Sequence, residues 1–314
     1  MRRIGAFIIC VLLLTGCTPK ETHTNPHIAV ITMMQGGEFW GALKNGARSA
    51  RSATSSVLEF FGPINEADYE GQVAAVNLAI DQHFDAIILS PSHYTRLAEA
   101  VTKARSKVIK VVLADTALKG QSADFLITAD YRTIGQQMAE HAFTLFEPAE
   151  QINALIIGSL PNTTTMTNLV ESLSETLRTR PNTRIISSTF SFSDESIARS
   201  ITHNALQVEP KINVIFALEE NTAHGVALAI EQHPAPINFI ALGNTRYEIQ
   251  LLEEGVIDAL VVVNAFNLGY RSVLASVQLL DGKKPAQQPV DFALVTKETM
   301  FTEEHQRLVF QTVQ

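Results

Sequence analysis

Short β-branched runs alternate with amphipathic stretches along almost the whole chain, and this rhythm leaves few folds open. The first unit shows it plainly. Residues 28–32 (IAVIT) form a strand apolar enough to be buried on both faces, and Gly36-Gly37 breaks it with a turn. Phe39, Trp40, Leu43, Ala47 and Ala50 then recur at helical spacing, with Lys44, Arg48 and Arg51 on the other side. The same alternation predicts strands at 56–61, 85–89, 108–113 and 125–128, with helices over 68–83, 94–106 and 130–146. It then restarts, with strands at 153–157, 183–190, 213–217, 238–242 and 259–263. Helices over 165–179, 194–208, 221–232, 247–254 and 268–280 complete the second set. Two successive sets of βα units imply an α/β protein of two doubly wound, parallel-sheet lobes. Open sheets of this kind take ligands beyond the carboxyl ends of their strands. Phe39 and Trp40 stand at that edge, so one ring is expected to face a cleft; the alternative is that both pack beneath the helix.

Composition narrows the function. Apolar residues make up 46% and charged residues 18%, as in ordinary water-soluble domains, and the net charge of −8 does not favour nucleic acid. No internal stretch approaches the roughly 18 apolar residues of a spanning helix. The N-terminus differs: a basic Met1-Arg2-Arg3, an apolar run over 4–14, then Leu14-Thr15-Gly16-Cys17. This resembles an export signal ending in a bacterial lipobox, which implies removal of residues 1–16 and lipid attachment at Cys17. The mature chain would carry 22 basic and 32 acidic side chains, a net −10. Cys10 lies within the signal, so Cys17 would be the sole remaining cysteine and no intramolecular disulfide could form. Residues 17–26, polar with two prolines, read as a flexible tether.

Catalytic and metal signatures are missing. The nine histidines include no HExxH and no clustered Cys/His spacing, and there is no GxGxxG after the first strand, no P-loop and no GxSxG. Neither a metal, a cofactor nor an enzymatic activity is expected. Among acids at strand ends, Asp115 is a candidate ligand contact or a turn cap, and Asp130 a hinge or cap. Of Glu219 and Glu220, one carboxylate could reach the cleft, with Glu220 otherwise a solvated charge at a helix start.

Several segments resemble type 1 periplasmic binding proteins, the ribose- and galactose-type receptors of ABC transporters. They are EFWGALKNGARSA (38–50), EGQVAAVNLAIDQHFDAIILSP (70–91), VVLADT (111–116), ITADYRTIGQQMAE (127–140), VIFALEENTAHGVALAIE (214–231) and LLEEGVIDALVVVNAFNLGYRSV (251–273). The resemblance implies a hinge of three crossovers near 130, 264 and 289. The N-terminal lobe would comprise 27–130 plus 264–289, and the C-terminal lobe 131–263 plus 290–314. Phe39 and Trp40 match the paired aromatics that stack on a sugar ring, and Asp115 the strand-end acid that accepts from sugar hydroxyls, with Thr116 next to it. Glu219 stands where an Asn is usual, Asn244 where an Asp is usual, and Val263 or Asn264 where a Gln or Asn is usual, with Asn264 and Asn267 expected at the third crossover. The usual Arg on the second lobe's first helix is missing; Thr167 and Asn168 occupy its neighbourhood. Carboxylate in place of neutral and cationic donors favours a neutral polyhydroxylated or amino-bearing ligand over sugar acids and phosphates. The resemblance implies a monomeric, extracytoplasmic lipoprotein that captures a small polar, sugar-like ligand for an ABC permease. The alternative is an accessory protein presenting ligand-driven closure to a membrane sensor kinase or chemoreceptor. Cys17→Ser is expected to move the protein from the membrane to the soluble fraction on cell fractionation; continued sedimentation with membranes would contradict lipidation at this residue.

Overall fold

The computed structural model describes residues 25–120, 123–231 and 233–309. Cys17, the export signal and the tether up to residue 24 lie outside them. The first sheet is built around β1 (His27–Ile31), whose last four residues are buried. β2 (Val57–Phe61), β3 (Ala86–Leu89), β4 (Lys110–Ala114) and β5 (Phe125–Ile127) join it in the order β2-β1-β3-β4-β5, all parallel. α1 (Glu38–Thr54), α2 (Tyr69–Asp81) and α3 (Ala98–Ser106) make the crossover connections. Helices on both faces explain why β3 is buried at every position, whereas edge strand β2 is only half covered.

The chain then leaves this sheet and builds a second. Its elements are α4 (Tyr131–Thr144), β6 (Ile152–Gly158), α5 (Thr164–Leu177), β7 (Thr183–Phe190), α6 (Glu195–Val208), β8 (Val214–Ala217), α7 (Glu220–Ile230), β9 (Asn238–Leu242), α8 (Arg246–Glu254) and β10 (Ala259–Val263). α9 (Ala265–Leu280) returns to the first lobe and packs on α1. β11 (Phe292–Val295) and α10 (Glu303–Val309) end the second lobe, whose sheet runs β11-β10-β9-β8-β6-β7 with β11 antiparallel to β10. The three passages between lobes lie side by side. Val290 N donates to Thr128 O at 2.9 Å and Asn264 N to Asp291 O at 2.9 Å, so the crossing segments form a hydrogen-bonded strip. Two helices start where the chain emerges from it: Asp130 caps α4 by accepting from Thr133 N at 3.1 Å, and Asn264 caps α9 by accepting from Asn267 N at 2.9 Å.

The structure adds two elements to the sequence expectation and moves several boundaries. β11 and α10 were not foreseen. β4 starts at Lys110 rather than 108, because Val108 is 78% exposed in a left-handed turn with φ 68°. α3 starts at Ala98 rather than 94, because the His93 ring holds the backbone N–H groups of Thr95 and Arg96 in a turn, at 3.3 and 3.4 Å.

Reciprocal glycines set the return of α9. A Cβ on Gly46 would stand 1.9 Å from Phe266 O, and one on Gly269 would stand 1.9 Å from Leu43 O. Each helix backbone thus lies directly on the other, with no side chain to yield. Gly269→Ala must push α9 away from α1, which should destabilise the protein by about 3 kcal/mol or more, the upper end for overpacking. Urea denaturation checks this; a loss below about 1 kcal/mol would mean that the helices separate easily.

Candidate ligand cleft

The carboxyl ends of both sheets face each other, and the loops after β1, β2, β4, β6, β8 and β9 contribute to one cleft. β1 leads through Gly37 to Phe39 and Trp40 at the start of α1. Gly37 has φ 82°, and a Cβ there would lie 2.6 Å from Glu220 Oε1, so only glycine lets this turn approach the second lobe. Phe39 is half-buried, while Trp40 is 4% exposed and belongs to the core, its ring edge-on to Phe39 at 4.9 Å between centroids. The loop after β2 brings in Glu66, buried, whose Oε1 accepts from Trp40 Nε1 at 2.7 Å. β4 ends in Asp115, held with φ 71°, a left-handed conformation that Asp tolerates; its carboxylate accepts from the Tyr131 hydroxyl.

From the second lobe, β8 delivers Glu219 and Glu220. Glu219 is the N-cap of α7, accepting from Asn221 N at 2.8 Å and Thr222 N at 3.1 Å. Glu220, far from being solvated, is buried and accepts from Phe39 N at 3.4 Å across the cleft. Other bonds also join the lobes. Ser193 Oγ donates to Glu66 Oε2, Ala117 N to Thr164 Oγ1 at 2.7 Å, and Tyr94 N to Asn162 O at 2.8 Å. The lobes are therefore closed on each other. Between them lies a cavity of about 80 Å³, counted as space open to the centres of water molecules. One water needs only roughly 10–15 Å³ in that measure, so the cavity has room for a small molecule's polar groups.

Of the residues singled out in the sequence, Phe39, Trp40, Asp115 and Glu219 line this cavity. Thr116, Asn244 and Asn264 are not among its lining residues. Thr116 Oγ1 bonds to Thr164 Oγ1 at 2.9 Å between the lobes. Asn244 is buried beside the cavity-lining Gly243, and its Nδ2 finds no partner among the described residues. Asn264 is occupied as the cap of α9. Sequence reasoning missed Glu66, Tyr131 and the burial of Glu220. A search of each loop at the carboxyl edge for acids would have found Glu66.

The electrostatics are unusual. Glu66, Asp115, Glu219 and Glu220 all border the cavity, and no Lys, Arg or His does. Burial raises the Glu66 carboxyl above its ordinary value. Burial also raises Asp115 to about 6, opposed by the Tyr131 hydrogen bond and reinforced by Glu66. Glu219 stands well above its usual range through burial and then the charges of Glu66 and Glu220. Glu220 is raised to about 7, mainly by burial. Below the cavity, burial lifts Glu248, which caps α8 with Thr245, to about 8. Among the described residues, no three of His, Cys, Asp or Glu are arranged to hold a metal ion, and no helix is long and apolar enough to cross a membrane.

A carboxyl held above its ordinary value binds its proton more tightly in the native form than in the unfolded chain. Its contribution is therefore fully present in acid and declines as pH rises through the native value. His93, His141 and His224, lowered mainly by burial, act in the opposite sense, so the comparison must isolate one acid. Relative to wild type, Glu220→Gln is expected to gain thermal stability between pH 5 and pH 8, since its side chain no longer titrates near 7. A difference in melting temperature that stays flat over that window would contradict the burial of this charge.

Comparison with known proteins places the fold in a family. A family model described as "Periplasmic binding protein domain" matches residues 28–284. The D-allose-binding periplasmic protein of Escherichia coli (strain K12) is 20% identical over 278 residues, covering 85% of this chain and 89% of that protein. An ABC transporter solute binding protein from Agrobacterium vitis, solved with bound D-fucose, superposes with a TM-score of 0.85 at 23% identity, covering 90% of this chain and 100% of that one. A chain of the XylFII–LytSN complex superposes with a TM-score of 0.80 at 20% identity, covering 88% and 99%. The chain belongs to the periplasmic binding protein family, type 1, a family of extracytoplasmic solute-binding proteins.

Proposed function

We propose that this member of the periplasmic binding protein family captures a sugar-like ligand between its lobes and presents the closed form to an ABC importer. The observation that carries this is the cavity between the facing strand ends, walled by the Phe39 ring and by acceptors from both lobes. An aromatic face suits the apolar C–H surface of a pyranose or furanose ring, and buried carboxylates suit its hydroxyls. Asp115 and Glu66 would accept from hydroxyls on the first lobe's side, and Glu219 on the second's. Ligand would be drawn in with the lobes apart and held as they rotate about the three-stranded strip. The relative named for D-allose and the structural neighbour solved with bound D-fucose support a monosaccharide. Lipid attachment at Cys17 would keep the receptor at the membrane that carries its permease. The XylFII–LytSN complex supports a second use of the same closed surface, docking to a membrane sensor.

A thermal-shift panel of aldoses, including D-allose and D-fucose, is expected to yield at least one that raises the melting temperature, since a ligand that binds only the folded state stabilises it. The same sugar should alter the emission of Trp40, the chain's single tryptophan. Phe39→Ala should weaken it by about 1–3 kcal/mol, as for other aromatic anchors. Trp40→Ala is less informative because this ring is part of the core. If no sugar at millimolar concentration moves either signal, the sugar-receptor assignment fails.

A further inference from the structure

The cleft holds more negative charge than a neutral sugar can answer. Glu66, Asp115, Glu219 and Glu220 border a single cavity, two from each lobe, and closure brings the pairs together. Every hydrogen bond they receive comes from a neutral donor. Trp40 Nε1 and Ser193 Oγ serve Glu66, the Tyr131 hydroxyl serves Asp115, backbone and hydroxyl groups of α7 serve Glu219, and Phe39 N serves Glu220. No side chain on the cavity wall carries positive charge. Burial accordingly pushes all four carboxyls upward, and neighbouring carboxylates add to the rise at Asp115, Glu219 and Glu220, which is the mark of an uncompensated set. Metal is a poor counter-charge here, because among the described residues no three acids converge as ligands.

Neutral hydroxyls can satisfy these oxygens as acceptors, yet the carboxyls then either keep unmatched charge or must hold protons. An ammonium group supplies three donors and a full positive charge in the space of one methyl group. We infer that the ligand is an amino-bearing sugar or polyol whose protonated amine lies among Glu66, Asp115, Glu219 and Glu220. This rests on the receptor role proposed above and narrows its substrate class. It also explains how the lobes close without trapping like charges: the ligand's cation bridges carboxylates from opposite sides. The Phe39 ring on the same wall takes the apolar face of the sugar.

The test compares matched ligands by calorimetry and by Trp40 emission at pH 7. Monoamino hexoses with the nitrogen at C2, C3, C4 or C6 are each run beside the parent hexose and the neutral N-acetyl derivative. At least one amine should bind tenfold or more tightly than both neutral partners. Glu66→Gln retains an acceptor for Trp40 Nε1 but removes a charge, and should shrink that amine-to-parent ratio by tenfold or more. If neutral hexoses bind and every amine binds equally or more weakly, the amine inference is overturned while the sugar-receptor reading stands. If the ratio survives Glu66→Gln unchanged, the placement of the amine is overturned. If neither neutral nor amino sugars bind, both the inference and the receptor reading fall.

Discussion

The hydrogen-bonded strip where the chain crosses three times between its lobes governs the rest of the molecule. The passages near Thr128, Asn264 and Val290 are tied edge to edge by backbone hydrogen bonds, so every chain crossing between the lobes runs through one strip. Caps complete the arrangement: Asp130 and Asn264 start α4 and α9 directly from the strip, so each lobe's helical layer is fixed to the hinge. The carboxyl-edge loops then have no choice but to meet.

What meets there is a set of buried acids, and their cost shapes the site. A carboxylate removed from water without a cationic partner is among the least favourable groups a protein can bury. The structure meets that cost partly with donors: an indole, hydroxyls and the free N–H groups at the start of α7. The side-chain-free turn at Gly37 serves the same end, letting the first lobe's backbone come close enough for Phe39 N to donate to the Glu220 carboxylate. Sites that bind by closure often carry such unfavourable features, since a ligand can act only through what the empty form lacks.

Much of this architecture is legible in the sequence, because buried parallel strands must be continuous apolar runs and their helices must show a 3.6-residue period. Those two signals locate every described strand except β11, a four-residue edge strand whose burial is too slight to leave a pattern. They also put Phe39, Trp40, Asp115 and Glu219 at strand ends, where the cavity lies. Glu66 escaped because it sits in a loop, outside any period, and its partners Trp40 and Ser193 are distant in sequence. Glu220 was misjudged for a related reason. A charge at a helix start is ordinarily solvated, and nothing local reveals that Gly37 of the other lobe comes down upon it. Local sequence encodes elements well and their encounters poorly.

The reciprocal glycine contact between α1 and α9 bears on how such a chain is made. α1 is among the first segments to be synthesised and α9 among the last, so the first lobe lacks its covering helix until nearly the whole polypeptide exists. Until then the sheet lacks the helix that packs on β3, β4 and β5, and contacts separated by that much chain form slowly. The order of elements along the chain therefore places completion of the first lobe after synthesis of nearly the whole polypeptide.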